Sequence, residues 1–335
     1  MKAMVLAAGF GTRLRPLTHR LPKPLFPILG KPVLEHTLHL LARQEVRDVT
    51  VNLHHLPETI EKRIGTAASL GIHLHYSREE AILGTAGGIL RARRFLDGGP
   101  FVVLNSDIVT DIDLAPVLEF HRQNQSALTM VLTDANVTGI HDPIELDEHN
   151  RVVHLVGASS KNLPETTSQV TFTGIQILEP DIFDRIPTNQ FCGTTSDVYP
   201  QMIEDGLPVY GYRHTGYWQD MGTREQYLEV HRDALDGKVS LPGAAPSTHT
   251  PHANITGPVW FGRGCVISPE AQIGPYAVLG DGCRVDTGAV IRNSVLWDGV
   301  HIESAARVEG CVIAEEVTVS RSAVFENQSV VKPPQ

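Results

Sequence analysis

Leu6-Ala7-Ala8-Gly9-Phe10-Gly11-Thr12-Arg13-Leu14-Arg15-Pro16-Leu17-Thr18, with Lys23-Pro24-Leu25 just downstream, decides how this chain is read. It follows Met4-Val5-Leu6, a short apolar run that reads as a buried strand. Glycines after such a strand let backbone N–H groups approach phosphate oxygens, and Arg13 and Lys23 can neutralise the charge. Two familiar phosphate loops are excluded. The dinucleotide fingerprint would need glycine at Leu14, and the P-loop pattern has no match.

Outward from this loop, strand-like and helix-like segments alternate. Leu34, Leu38 and Leu41 recur at helical spacing, and Asp48–Leu53 alternates like a strand. Pro57–Leu70 and Thr85–Leu96 read as helices, Phe101–Leu104 as an apolar strand, and Leu114–Gln123 as a helix. This order predicts βαβ units around a mostly parallel, Rossmann-like sheet. Residues 126–213 are richer in strand patterns, and Thr223–Leu235 closes the unit as a helix. The expected organisation is an α/β domain over 1–235, a Pro-, Gly- and Ser-rich linker over 236–254, and a third segment over 255–335.

That third segment repeats. Ile255, Phe261, Ile267, Ile273, Leu279, Val285 and Ile291 stand six residues apart. Small or β-branched residues (Val259, Cys265, Ala271, Ala277, Cys283, Ala289, Val295) follow each by four. One residue is missing between Ile291 and Ile302, after which the period resumes. A hexapeptide period predicts a β-helix whose large anchors fill a prism interior. Cys265 and Cys283 then read as small buried residues.

Composition narrows the function. Net charge is −10 over 335 residues, which argues against a general nucleic-acid binder. The first 34 residues nevertheless hold Lys2, Arg13, Arg15, Arg20, Lys23 and Lys31 and no Asp or Glu, a local field suited to a small anion. No run approaches a membrane span, and the N-terminal apolar run is too short for a signal peptide. The four cysteines lack C-x-x-C spacing, so the expected setting is a reducing cytoplasm. His54-His55 and His73/His75 lack a third ligand at metal spacing and read as surface or core histidines.

With these residues in view, the chain resembles the sugar-phosphate nucleotidyltransferases (nucleotide-sugar pyrophosphorylases). The G-x-G-T-R-L-x-P-L-T…P-K-P signature runs from Gly9 to Pro24. Leu83-Gly84-Thr85-Ala86-Gly87 resembles the family's nucleotide loop, and Asn105-Ser106-Asp107 its metal-aspartate position. Thr171–Leu178 resembles the sugar strand, and Gly216–Thr223 the segment with the second metal aspartate. The hexapeptide coils resemble the left-handed β-helix that several members carry, including the mannose-1-phosphate guanylyltransferases.

The resemblance implies an enzyme in which a sugar 1-phosphate oxygen attacks the α-phosphorus of an NTP and pyrophosphate leaves. Both reactants are anions, so the work is positioning and charge neutralisation. It implies nucleotide contacts from Leu6, Ala8, Gly9, Gly11, Thr12, Arg13, Lys23, Gly84 and Thr85, with Arg13 on the leaving pyrophosphate and Lys23 on the α-phosphate as the catalytic pair. Asp107 and Asp220 would hold Mg²⁺, which favours hard oxygen ligands. Gly174 would serve the sugar phosphate. No side-chain base is needed, because the nucleophilic phosphate is already ionised.

The chain departs from the pattern in the sugar region. Where many members have Glu-Lys-Pro, residues 153–161 read V-H-L-V-G-A-S-S-K, leaving Lys161 as the substitute sugar-phosphate ligand. Asp142-Pro143-Ile144-Glu145 replaces the usual Tyr-Gly. The loop around Leu83 resembles those of mannose-1-phosphate guanylyltransferases and of N-acetylmuramate-1-phosphate uridylyltransferases, and the β-helix, which the latter usually lack, turns the expectation to GTP with mannose 1-phosphate. UTP- or dTTP-dependent transfer to a glucose, N-acetylglucosamine or N-acetylmuramate phosphate is the alternative. Acyl transfer at His301 and a non-catalytic regulatory subunit are the competing classes. The coils are expected to support homo-oligomerisation or stability and to lie apart from the active site.

Overall fold

The computed structural model describes residues 1–134, 144–161, 163–242, 244 and 254–332. Asp142 and Pro143, and most of the 236–254 linker, lie outside the described residues. The chain divides into two compact units that do not follow chain order. One comprises Met1–Gly9 and Thr37–Trp218; the other comprises Phe10–His36 and Gln219–Gln335.

The first, the sheet unit, is built on one ten-stranded sheet. Its strands are β1 (Lys2–Leu6), β2 (Asp48–Leu53), β3 (His73–Arg78), β4 (Phe101–Asn105), β5 (Leu128–Thr133), β6 (Ile144–Leu146), β7 (Val152–Leu155), β8 (Ala158–Ser159), β9 (Ser168–Leu178) and β10 (Val209–Arg213). The order is β8-β7-β6-β9-β4-β1-β2-β3, with β5 joined to both β9 and β10. β4, β1, β2 and β3 run parallel, as the βαβ reading requires. β9 runs against β4 and β5, so the sheet is mixed beyond the parallel core. Met4, Val103, Leu128, Met130 and Leu178 anchor one large apolar cluster. In β2, beyond the exposed Asp48, the polar residues do not face solvent: Thr50 and Asn52 are each 2% exposed. Parallel strands are covered on both faces, so such residues need internal partners.

Local deviations have plain causes. The helix expected over Pro57–Leu70 ends at Ile64, where Gly65 turns at φ 65°, and only a short 3₁₀ turn forms at Ala68–Leu70. The helix expected over Thr85–Leu96 splits at Ala92 into Gly84–Arg91 and Arg93–Leu96. Asp113 caps Leu114–Gln123 by accepting from Ala115 N at 3.0 Å.

In the second, the coil unit, three parallel sheets carry the repeat, the arrangement expected of a left-handed β-helix. Phe261, Ile273, Leu279, Val285 and Ile291 are buried, as are Ala271, Ala277, Cys283 and Ala289 beside them. The missing residue is not a single lapse. Val259 pairs with Ala277 eighteen positions on, but Val285 pairs with Ile302 and Val308 with Phe325 at seventeen. Every coil after the first therefore has one short side.

The same unit contains the loop Phe10–His36 and the last helix, Arg224–Leu235. The Trp297 ring, from a coil, meets Phe26 at 4.9 Å edge-on. Its Nε1 donates to the Tyr227 hydroxyl at 3.2 Å, and that hydroxyl donates to the Pro27 carbonyl. Burial pushes the Tyr227 phenol up, so it stays a donor. A Cβ on Gly30 would come 2.5 Å from Trp260. The coils therefore pack directly on the loop that bears Lys23.

Candidate functional site

Within the sheet unit, the strand ends gather at the carboxyl edge of the parallel core, where ligands sit in open α/β sheets. Leu6 and Asn105 are in register, and Ser106 N donates to the Leu6 carbonyl at 3.1 Å. Asp107 is half-buried in the turn that follows β4. Ala8 is buried and Gly9 exposed. Gly9 has no positive φ, and a Cβ built there meets nothing within 4 Å among the described residues. Neither backbone strain nor packing requires glycine at this position, which suits close approach by a ligand.

The other sheet-unit candidates have local structural work. Gly84 sits at φ 76°, and a Cβ there would come 2.4 Å from the Cys192 carbonyl oxygen. Thr85 Oγ1 accepts from Thr194 N at 2.7 Å and lies 2.9 Å from the Thr194 hydroxyl. Gly174 sits at φ 80°, and a Cβ there would strike Asn105 Nδ2 at 2.5 Å. It thus lets β9 pass close to the Asn105-Ser106-Asp107 turn. Lys161 is exposed in the loop after β8.

Within the coil unit, the charged residues converge. Gly11 takes φ 60°, its carbonyl accepts from Thr18 Oγ1 at 3.1 Å, and a Cβ would meet Thr18 Cγ2 at 2.8 Å. Glycine here closes the turn that launches the exposed Thr12 and Arg13. The Lys23 side chain is only 8% exposed, and its Nζ lies 3.8 Å from Asp220 Oδ1. Arg13 Nη2, half-exposed, lies 4.0 Å from Asp220 Oδ2. A nearly buried lysine and a half-exposed arginine beside one carboxylate make a place suited to a polyphosphate.

Gly222 and Thr223 fall within the Gly216–Thr223 motif, but what each does is visible only in the structure. A Cβ on Gly222 would come 2.6 Å from Asp220 Oδ2 and 2.7 Å from Arg13 Nη2, so this glycine admits the ion pair. The adjacent Thr223 caps the last helix by accepting from Gln226 N at 3.2 Å. His301 lies 2.9 Å from Asp286, whose carboxyl is held low by that histidine and by Arg284. His75 stacks on Phe95 at 4.6 Å, and His73 lies 3.2 Å from Asp48, both ordinary structural uses.

A glycine-bearing strand end on a parallel sheet suits phosphate, and so does a buried lysine, on a loop braced by a β-helix, beside the carboxylate of Asp220. Comparison with known proteins makes the class specific. The chain belongs to the Nucleotidyl transferase family, which matches residues 2–237, and residues 255–332 match the GMPPB C-terminal domain. A mannose-1-phosphate guanylyltransferase of Mycobacterium tuberculosis is 34% identical over 303 residues, covering 86% of this chain and 82% of the relative. A probable mannose-1-phosphate guanylyltransferase 1 of rice is 30% identical over 339 residues, covering 99% and 91%. A UTP–glucose-1-phosphate uridylyltransferase of Synechocystis is 31% identical over 334 residues, covering 92% and 86%. The crystal structure of HddC from Yersinia pseudotuberculosis superposes with a TM-score of 0.59 at 22% identity, covering 70% of this chain and 99% of that one; the likeness is one of fold. Members of the family generally use a divalent metal. No helix among the described residues is long and apolar enough to cross a membrane.

Proposed function

We propose that the chain transfers a nucleoside monophosphate from GTP to mannose 1-phosphate, releasing pyrophosphate and forming an NDP-sugar. The observation that carries the reading is the Lys23–Asp220–Arg13 cluster, with Gly222 making room for it. Arg13 binds the leaving pyrophosphate through its guanidinium, and Lys23 steadies charge on the α-phosphate. Leu6, Ala8, Gly9, Gly84 and Thr85 offer backbone and small side chains to the nucleotide, and Gly11 and Thr12 continue that loop. Gly174 and Lys161 serve the sugar phosphate. The mannose and guanine assignment follows the names of the guanylyltransferase relatives.

Mg²⁺ fits the carboxylates available. Among the described residues no group of three or more His, Cys, Asp or Glu is placed to hold a metal, so the protein offers no closed cage. A hard dication held by Asp107 and Asp220, and otherwise by phosphate and water, suits that donor set. When bound it would neutralise charge on the reacting phosphates. A cytoplasmic homo-oligomer is the matching form, and all four cysteines are free thiols.

The test is pyrophosphate release across a matrix of NTPs and sugar 1-phosphates. Preference for GTP with mannose 1-phosphate supports the reading. A preference for UTP with glucose 1-phosphate supports the second reading, which the Synechocystis relative's name favours. Absence of release with every pair refutes both.

A further inference from the structure

Three strands of the sheet unit end side by side: Leu6 of β1 pairs with Asn52 of β2, and Asn52 with Ser77 of β3. β1 runs on into Ala7-Ala8-Gly9, and β3 into Glu79 and the loop to Leu83, where the helix Gly84–Arg91 begins. Two buried polar side chains lie between these segments, Asn52 at 2% and Glu79 at 5% exposure. Asn52 Oδ1 accepts from Ala7 N at 2.8 Å, and Asn52 Nδ2 donates to Glu79 Oε1 at 2.7 Å. Glu79 Oε2 then accepts from Leu83 N at 3.0 Å. The Glu79 backbone is itself fixed, its N–H donating to the Leu53 carbonyl at 2.8 Å and its carbonyl meeting His54 Nδ1 at 3.0 Å. A Cβ on Gly88 would come 2.7 Å from Glu79 Oε1 and 2.8 Å from Asn52 Nδ2, so this glycine makes room for the pair.

Buried amide and carboxylate groups are costly unless fully satisfied, and an apolar pair of similar volume would avoid that cost. Here the polarity of each group is dictated by the next. The Ala7 amide can only donate, the Glu79 carboxylate accepts, and the Leu83 amide again can only donate. The result is a chain of hydrogen bonds joining the backbone of one glycine segment to that of another.

We propose that Asn52 and Glu79 are positioning residues that lock Ala7–Gly9 to Leu83–Thr85, so that the two nucleotide-binding segments keep one fixed spacing. The functional half rests on the nucleotide role given to those segments above. The effect runs through the Ala7 and Leu83 amides, so it belongs to nucleotide affinity more than to turnover.

The test exploits the polarity of the relay. Asn52→Asp sets two acceptors face to face. Glu79→Gln places an amide donor against one of two donors. The double variant exchanges amide and carboxylate: the carboxylate at position 52 accepts from Ala7 N and from the new amide, whose oxygen accepts from Leu83 N. Each single variant should raise KM for NTP about tenfold or more, with kcat and the sugar-phosphate KM within about threefold, as expected when a buried partner is mismatched away from the reacting atoms. The double should return KM for NTP to within about threefold of wild type. Amide hydrogen exchange of the peptides around Ala7 and Leu83 is followed in parallel. Both should exchange faster together in each single variant and recover together in the double. Singles with unchanged KM for NTP, or a double no better than its worse parent, overturn the proposal. A single variant that fails to fold is judged through the double, which must fold and bind NTP. If the wild type transfers no nucleotide to any sugar phosphate, the functional reading fails by itself. Exchange then decides the relay: joint loss and recovery supports it, and independent behaviour of the two peptides overturns it.

Discussion

The sheet unit and the coil unit bring different materials to the proposed chemistry. In the sheet unit, apart from Asp107 and Lys161, the assigned residues are uncharged: Gly84 lies close against Cys192 and Gly174 against Asn105, and Thr85 is hydrogen-bonded to Thr194. In the coil unit, Gly11 and Thr12 aside, they are charges: Arg13 and Lys23, on a loop that the β-helix braces through Phe26 and Trp297, beside Asp220. On the proposed reading the sheet unit gives mostly shape and the coil unit most of the charge. Substitutions should therefore fail differently in the two places.

The bracing is the most exposed part of this contrast. Trp297 is 1% exposed, and Trp297→Ala should cost about 3–5 kcal/mol of unfolding free energy, the usual range for emptying a buried aromatic site. Phe26 lies three positions after Lys23, so activity should fall with stability. Truncation after Gly237 would uncover Phe26 and Tyr227 altogether and should abolish transfer. Denaturant unfolding and pyrophosphate release check both. A truncated chain that still turns over would show that the loop holds Lys23 without the coils.

Charge removal comes next in size. Asp220→Asn and Asp107→Asn should each lower kcat by at least about 10²-fold, because each removes a carboxylate proposed to neutralise the phosphate array through a metal. Circular dichroism should show an intact fold. Near wild-type turnover at saturating Mg²⁺ would remove that residue from the metal assignment.

Gly9 and Gly11 sharpen the contrast further, since they stand on opposite sides of the division between units. Gly11→Ala forces a Cβ into a positive-φ position 2.8 Å from Thr18 Cγ2. It should cost about 1–2 kcal/mol of stability through strain alone. Gly9→Ala meets neither obstacle, so its thermal midpoint should stay unchanged while NTP affinity falls. Calorimetry with unchanged NTP affinity in Gly9→Ala would take the strand end out of the phosphate cradle.

Much of the comparison was legible in the sequence because it rests on local periodicity and compact motifs. The six-residue repeat announced the coils, and the glycine loop with its K-P-L pointed to the anion site proposed here. Other features depend on contacts that spacing does not encode. Asn52 looks like the polar tip of an alternating strand, yet β2 is covered on both faces and the side chain is buried. Gly222 and Gly88 matter for the side chains they admit, and those come from distant parts of the chain. Trp297 looks like one more residue in a coil turn until Phe26, more than 200 positions earlier, is found against it.

The last expected effect is a pH dependence confined to the coil unit. His231 is 2% exposed, packed edge-on to Tyr227 at 4.8 Å and close to His36. Burial pushes its pKa down to about 3, with the His36 charge adding to the shift. In the unfolded chain a histidine titrates near about 6.5. Between those values the unfolded state binds a proton that the folded state does not. The contribution is therefore fully present above about pH 6.5 and is lost as pH falls towards 3, by about 1.4 kcal/mol per pH unit. Carboxylates add their own acid sensitivity, but equally in a variant that leaves them alone. His231→Gln does not titrate, so its stability should fall less steeply than wild type between pH 6.5 and 5. Denaturant unfolding at several pH values gives both slopes. Equal slopes would mean that the buried imidazole is not held neutral beside Tyr227, and that the join between the last helix and the coils tolerates charge.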